Sequence, residues 1–386
     1  MLTFQAVLTI VNTCALAALA VVSAASAQSS VTFYGVLDAG YSKTENQSSL
    51  GNLGLNSSSS GIGSNGLSTS RWGIRGVEDL GGGLKANFQL ESELNVGTGV
   101  AGSTGNNGAS VNSVSPLFNR VATVGLAGNF GEVKLGRDYT PIYSTILASD
   151  PFGRVGATTV NLIPAGTRAS NMISYSTPTF AGFTVKAMAG ENKAEVDAIG
   201  ATPASNRSNR SAGLNATYAS GPLMVAVGWG QLKGASAVDG TIVNGQTAIG
   251  SAQGDKQDGS AIVATYDFGV AKLFANYIQS EITTATLGAR LKAKETNIGV
   301  SIPLGAFTVL GSFGHNDLDA NYSSIYGSGA INAKGNDYVL GATYDLSKRT
   351  TLYAKTGTYN KVNGTVGTIN GDFKTTATAV GVRHSF

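Results

Sequence analysis

Apolar and polar residues alternate strictly along much of the chain, in segments of about ten residues. In LKANFQLESEL, Leu84, Ala86, Phe88, Leu90 and Leu94 fall on one side; Lys85, Asn87, Gln89, Glu91 and Glu93 fall on the other. VTFYGVLDAGY sets Val31, Phe33, Leu37 and Tyr41 against Thr32, Tyr34 and Asp38, and AGFTVKAMAG sets Phe183, Val185 and Ala187 against Thr184, Lys186 and Met188. TNIGVSIP and NDYVLGATYDL read the same way. A period of two is the signature of strands, whose successive side chains point to opposite faces. About sixteen such segments can be counted, near the ~10-residue length of membrane-crossing strands.

The connections also alternate. Short turns stand at EDLGGGL, AGNFGE, TPTFAG, ASGPL, YDFGVA, IPLGAF and YDLSKRT. Between them lie long Ser-, Gly-, Asn- and Thr-rich stretches such as NQSSLGNLGLNSSSSGIGSNGLS and NVGTGVAGSTGNNGASVNS, which read as loops. The pattern is an up-and-down meander with two unlike ends. Sixteen strands closed on themselves leave an interior too wide for side chains to fill. The polar faces must then look into water inside, and the apolar faces outward at lipid. Closure is obligatory, because an open edge in hydrocarbon strands backbone groups at a cost of several kcal/mol each. The expected fold is all-β: a transmembrane antiparallel up-and-down barrel of about sixteen strands with long external loops. The chain closes on TTATAVGVRHSF, in which Val380, Val382 and His384 share a parity with Phe386. That ring is expected on the lipid face at the closing seam. It would join an aromatic girdle at the short-turn end with Tyr218, Tyr266, Tyr344 and Tyr34.

Composition fits this picture. Of 386 residues, 52 are Gly and only 13% are charged, about half the ~25% usual in soluble domains. The first 27 residues carry no charge, include the apolar run ALAALAVV and end in Ala25-Ser26-Ala27. They read as a secretory leader cut before Gln28, although its start lacks the usual Lys or Arg. Residues 28–386 would then form one barrel domain. The only cysteine, Cys14, lies in the leader, so the mature chain holds no thiol for disulfides or metal. A net charge of +3 is too mild for a nucleic-acid partner. After Gln28 no apolar stretch approaches the 18 residues of a spanning helix.

Catalytic chemistry finds little support. GIGSNG (61–66) fits G-x-G-x-x-G but lacks a preceding strand and a following helix, and reads better as a flexible loop. His315 and His384 are far apart, with no cysteine to share a metal. Glu91 and Glu93 could stand together as paired acids, yet charges lining a water-filled interior are the simpler reading. A barrel hydrolase would need His315, at the expected start of a long loop, as its base. No enzyme activity and no cofactor are expected.

Several segments together carry a family resemblance: SSVTFYGVLDAGY, SRWGIRGVEDLGGGLKANFQLES, NRVATVGLAGNFGEVKLGRDYTPIY, DPFG, NMISYSTPTFAGF and the terminal Phe386. The chain resembles the general trimeric porins of Gram-negative outer membranes, most closely their betaproteobacterial subgroup. The resemblance implies a homotrimer passing ions and small hydrophilic solutes by passive diffusion. It also implies outer-membrane lipid and lipopolysaccharide as surroundings, and recognition of Phe386 by the outer-membrane assembly machinery. In that family the third long loop folds into the barrel and narrows it. Here it would run from about Asp138 to Arg168, and it is unusually apolar and aromatic, with Tyr139, Ile142, Tyr143, Ile146, Leu147 and Phe152.

Strand parity places Arg71, Arg75, Lys85, Lys186, Lys272 and Arg383 inside, against Asp38, Glu91 and Glu93. Arg120, Arg137, Arg154 and Arg168 flank or belong to the third loop, opposed by Asp138 and Asp150. The cationic excess predicts a modest anion preference. The alternative is that these arginines pair with the carboxylates and leave the pore nearly neutral.

Overall fold

The computed structural model describes residues 30–48, 56–101, 117–160, 162–196, 205–234, 242–243, 246–247, 256–283, 290–324, 327–366 and 369–386. The expected leader, residues 1–27, lies outside them. In chain order the strands are β1 (Ser30–Ser48), β2 (Ser57–Ser64), β3 (Arg71–Gly81), β4 (Leu84–Glu93), β5 (Val121–Gly128) and β6 (Gly131–Tyr139). After a short helix, α1 (Pro141–Leu147), come β7 (Arg168–Ser176), β8 (Phe183–Val196), β9 (Ser205–Ser220), β10 (Leu223–Lys233), β11 (Ile242–Val243) and β12 (Gln246–Thr247). The rest are β13 (Lys256–Asp267), β14 (Lys272–Thr283), β15 (Arg290–Leu304), β16 (Phe307–Ser324), β17 (Gly327–Asp345), β18 (Thr350–Val366) and β19 (Ile369–Ser385).

Seventeen strands belong to one sheet, and β11 and β12 pair separately. The sheet closes on itself antiparallel, β1 pairing with β19 from Val36↔Ser385 to Ser48↔Phe373. β3 pairs with the first part of β1 and β2 with a later part, so the two are halves of one wall strand. Seventeen strands thus make a closed barrel of sixteen wall positions. GIGSNG is accordingly not a flexible loop. Gly61 to Ser64 end β2 and are laddered to β1, while Asn65 and Gly66 begin an irregular segment, 65–70, where the wall strand breaks before β3.

Alternation has the expected outcome. Val124, Leu126, Leu135, Ile173, Ile298 and Leu340 are exposed on the outside, where lipid would lie. Polar partners such as Asn276 and Asn297 face in. Tight turns at one end use left-handed glycines, as in the run Gly81, Gly82, Gly83 with φ of +82°, +61° and +81°. Aromatic pairs ring that end: Phe183 with Tyr218 at 4.6 Å, Tyr266 with Phe268 at 4.5 Å and Phe307 with Tyr344 at 4.5 Å. Phe386 stacks on Phe33 at 5.6 Å, and its backbone exchanges two hydrogen bonds of 3.1 Å with Gly35. Tyr34 departs from the expected girdle. Its parity turns it inward, where its hydroxyl donates to Glu91. His315 lies within β16, not at a loop start, and faces Asn336 across the ladder at 2.7 Å.

The chain between β6 and β7 turns inward and crosses the inner wall from β9 to β18. Its first turn is capped: Thr140 accepts from the Tyr143 amide and Pro141 occupies the start of α1. Ile142, Ile146, Val160, Leu162 and Ala165 bury themselves against wall residues Ala261, Ile278, Ala293 and Leu318. Phe152 and Ala157 do the same against Leu310, Val339 and Ala377. Glycines on the wall make room. A Cβ at Gly228 would come within 2.7 Å of Thr145, and one at Gly341 within 2.9 Å of Phe152.

Candidate functional site

Where the inward segment leaves the wall, guanidinium and phenol groups form a layered stack. The Arg168 guanidinium lies 4.4 Å from the Tyr139 ring centre and donates to the Tyr139 hydroxyl at 2.9 Å. Tyr139 stacks on Tyr143 at 5.3 Å with 15° between planes, and Arg154 covers Tyr143 at 5.4 Å. Ring faces attract cations and stacked rings alike, so each layer holds its neighbour in place. Arg154 is fixed further by both terminal nitrogens donating to Leu162 O, at 3.2 and 3.1 Å. Burial among these groups pushes the Tyr143 hydroxyl pKa up, so it stays neutral at physiological pH.

Arg120 joins the stack to β4. It donates to the Tyr139 hydroxyl, to Glu91 from Nε at 2.6 Å, and lies 3.5 Å from Glu93. Arg71 approaches Glu91 at 3.6 Å, and Tyr34 donates to the same carboxylate at 3.0 Å. Gly73 permits this reach, because a Cβ there would meet the Tyr34 hydroxyl at 2.7 Å. Glu91, Glu93 and Arg120 are all buried, and buried charges persist only when paired and hydrogen-bonded. Four guanidiniums (Arg71, Arg120, Arg154, Arg168) therefore meet two carboxylates (Glu91, Glu93), leaving two net positive charges.

The other expected site residues lie elsewhere. Arg75 and Lys85 face inward nearer the short turns, Arg75 lying 5.2 Å over the Tyr34 ring. Arg383 shares the inward register of Asp38 and donates to Thr351 at 3.1 Å. Asp138 pairs with Lys186 at 3.4 Å. Asp150 does not line the opening: it is 5% exposed and accepts from the Phe152 and Arg154 amides and the Thr158 hydroxyl. It shapes the tip of the inward segment instead. Arg137, counted above with the pore cations beside the third loop, does not line the pore. Its register partner Ala122 alternates in phase with Val124 and Leu126, so it belongs to the outer face, where it donates to Asn119 O and Ser170, each at 2.7 Å.

Two buried charges that strand parity alone did not single out hold the segment to the far wall. Glu295 accepts from the Leu162 amide at 2.8 Å, and Lys355 donates to Val155 O and Ala157 O. A readable signal existed in β13, where SAIVATY is apolar on both parities; an inner face is apolar only where something covers it.

A family model for Gram-negative porins matches residues 15–364. Outer membrane porin protein 32 of Delftia acidovorans is 35% identical over 392 residues, covering 96% of this chain and 98% of that protein. An outer membrane porin protein of Bordetella pertussis is 32% identical over 409 residues, covering 94% and 96%. Among solved structures, an anion-selective porin from Comamonas acidovorans matches with a TM-score of 0.68 at 29% identity, over 93% of this chain and 100% of that one. OmpT of Vibrio cholerae in its trimer form matches over 93% and 99% with a TM-score of 0.61 at 17% identity, a likeness of fold.

Proposed function

The chain belongs to the Gram-negative porin family and is a channel-forming porin of the outer membrane; on that premise we propose that its constriction favours anions. The observation that carries this reading is the imbalance at the stack, four guanidiniums against two carboxylates. Fixed charge in a narrow, poorly screened opening selects the opposite ion. Arg75, Lys85 and Arg383, on the inner face toward the short turns, add positive potential on the approach. The anion-selective porin from Comamonas acidovorans supports the same sign. The alternative of a neutral pore is weakened because Asp138 is matched by Lys186 and Asp150 serves the loop backbone.

The working unit in this reading is a homotrimer of residues 28–386, freed of a 27-residue leader and set in lipid and lipopolysaccharide. The inward segment 138–168 is its constriction loop. Diffusion through a fixed opening needs no bond-making group, so the protein acts as a channel rather than an enzyme. Reversal potential across a planar bilayer under a potassium chloride gradient tests the proposal. An anion-selective sign is expected, and a cation-selective sign refutes it.

A further inference from the structure

Lys355 lies on the inner face of β18 and is the one lysine among the described residues that is buried, 4% exposed. Its ammonium donates to Val155 O and, at 3.2 Å, to Ala157 O, and lies 5.6 Å from the Phe152 ring centre. All three belong to the tip of the constriction loop, which reverses through left-handed backbone at Gly153, Arg154 and Gly156. A Cβ at Gly156 would meet the Lys355 ammonium at 3.0 Å and Gly66 O at 3.1 Å, so the tip is gripped from two sides.

The second side is the break between β2 and β3. Asp38 holds it: one carboxylate oxygen accepts from the Leu67 and Ser68 amides at 2.8 and 2.6 Å, the other from the Gly66 amide at 3.1 Å and the Tyr353 hydroxyl at 2.7 Å. Tyr353 precedes Lys355 by two residues on the same face of β18. A buried ammonium without its carbonyl partners would be stranded at high cost, so the charge and the tip hold each other in place. Arg154, one end of the guanidinium stack, directly precedes Val155 in this turn.

We propose that Lys355 is a positioning residue, a latch that fixes the tip of the constriction loop and through it the placement of Arg154. The proposal rests on reading segment 138–168 as the constriction. Without the latch the middle of the loop stays anchored at Leu162–Glu295 and Ser149–Asn276. The tip keeps its apolar seat on Leu310, Val339 and Ala377 but loses its polar hold on β18.

The test is single-channel recording of the full-length trimer carrying Lys355→Met, which keeps length and removes the donor. Expected are higher mean conductance, several-fold greater open-channel noise and a smaller reversal potential, with trimer heat resistance unchanged. Lys355→Arg, which can still donate to both carbonyls, should restore quiet traces. Lys134→Met, on the inner wall near the short turns, should not alter them. Gly156→Ala disturbs the same grip while keeping the charge, and should also raise the noise. Wild-type conductance and noise in either Lys355→Met or Gly156→Ala would overturn the proposal. Noise is read independently of ion sign, so this outcome stands apart from the outcome for anion preference.

Discussion

Replacing Arg154 and Arg168 together by Gln should remove most of the ion preference without unfolding the barrel. The two are the outer layers of the stack, and neither is paired to the buried carboxylates. Arg120 is unsuitable for the same purpose, because its removal would strand Glu91 and Glu93 at about 3–5 kcal/mol. A monovalent ion ~6 Å from one net charge in water gains or loses about 0.7 kcal/mol. Screening over a Debye length of ~10 Å at 0.1 M salt leaves about 0.4 kcal/mol. Two net charges, acting with opposite sign on chloride and potassium, then separate them by about 1.5 kcal/mol, or roughly tenfold in permeability. At 1 M, with a Debye length of ~3 Å, the same sum falls to roughly twofold. Double neutralisation leaves the stack without net charge, so the reversal potential should fall most of the way to zero at 0.1 M, the remainder coming from Arg75, Lys85 and Arg383. Removing Arg75 and Lys85 instead should move it in the same direction but less, since both sit nearer the short turns. A double variant of Arg154 and Arg168 that keeps the wild-type potential would refute this assignment of the selecting charges.

Deleting Phe386 removes two backbone hydrogen bonds to Gly35, at about 0.5–1.5 kcal/mol each, and a stack on Phe33 of similar size. Trimer yield on refolding should drop sharply, and a normal yield would contradict its role at the seam. Shortening ASDPFG (148–153) deletes Asp150 and Phe152, which shape and seat the loop tip, so liposome swelling should admit larger sugars. Shortening residues 104–109 should leave that size limit unchanged, and equal effects from the two would remove the constriction from segment 138–168.

Strand alternation made the barrel legible because lipid and water impose opposite demands on the two faces at every second residue. Leu84, Phe88 and Leu90 against Lys85, Gln89 and Glu91 express that demand locally, within one strand. Features that depend on a break in the period were harder to see. Arg137 sits beside the register shift between Gly136 and Asp138, so its place beside the third loop does not bring it into the pore. Ser57 to Ser64 is a polar strand with few apolar positions, so composition alone made it look like a loop. The loop contacts of Lys355 and Glu295 join residues far apart in sequence and carry no local spacing. Only their inward parity was readable. In sequence Tyr139 and Tyr143 are simply aromatic members of an apolar loop; their stacking between two arginines depends on the loop's path.

The grip on the loop tip also has a place in time. Its parts come from opposite ends of the chain: Asp38 on β1, and Tyr353 and Lys355 on β18, joined across a separation of 315 residues. β19 lies between those strands and pairs with both, so the node exists only when the seam is zipped. With the seam unzipped the arginine stack and the loop's anchors at Glu295 and Asn276 would be in place, yet the tip would lack the Asp38 side of its grip. The final seat of the loop tip therefore depends on the same contact that seals the wall, so the size of the opening and the closure of the barrel are one structural event.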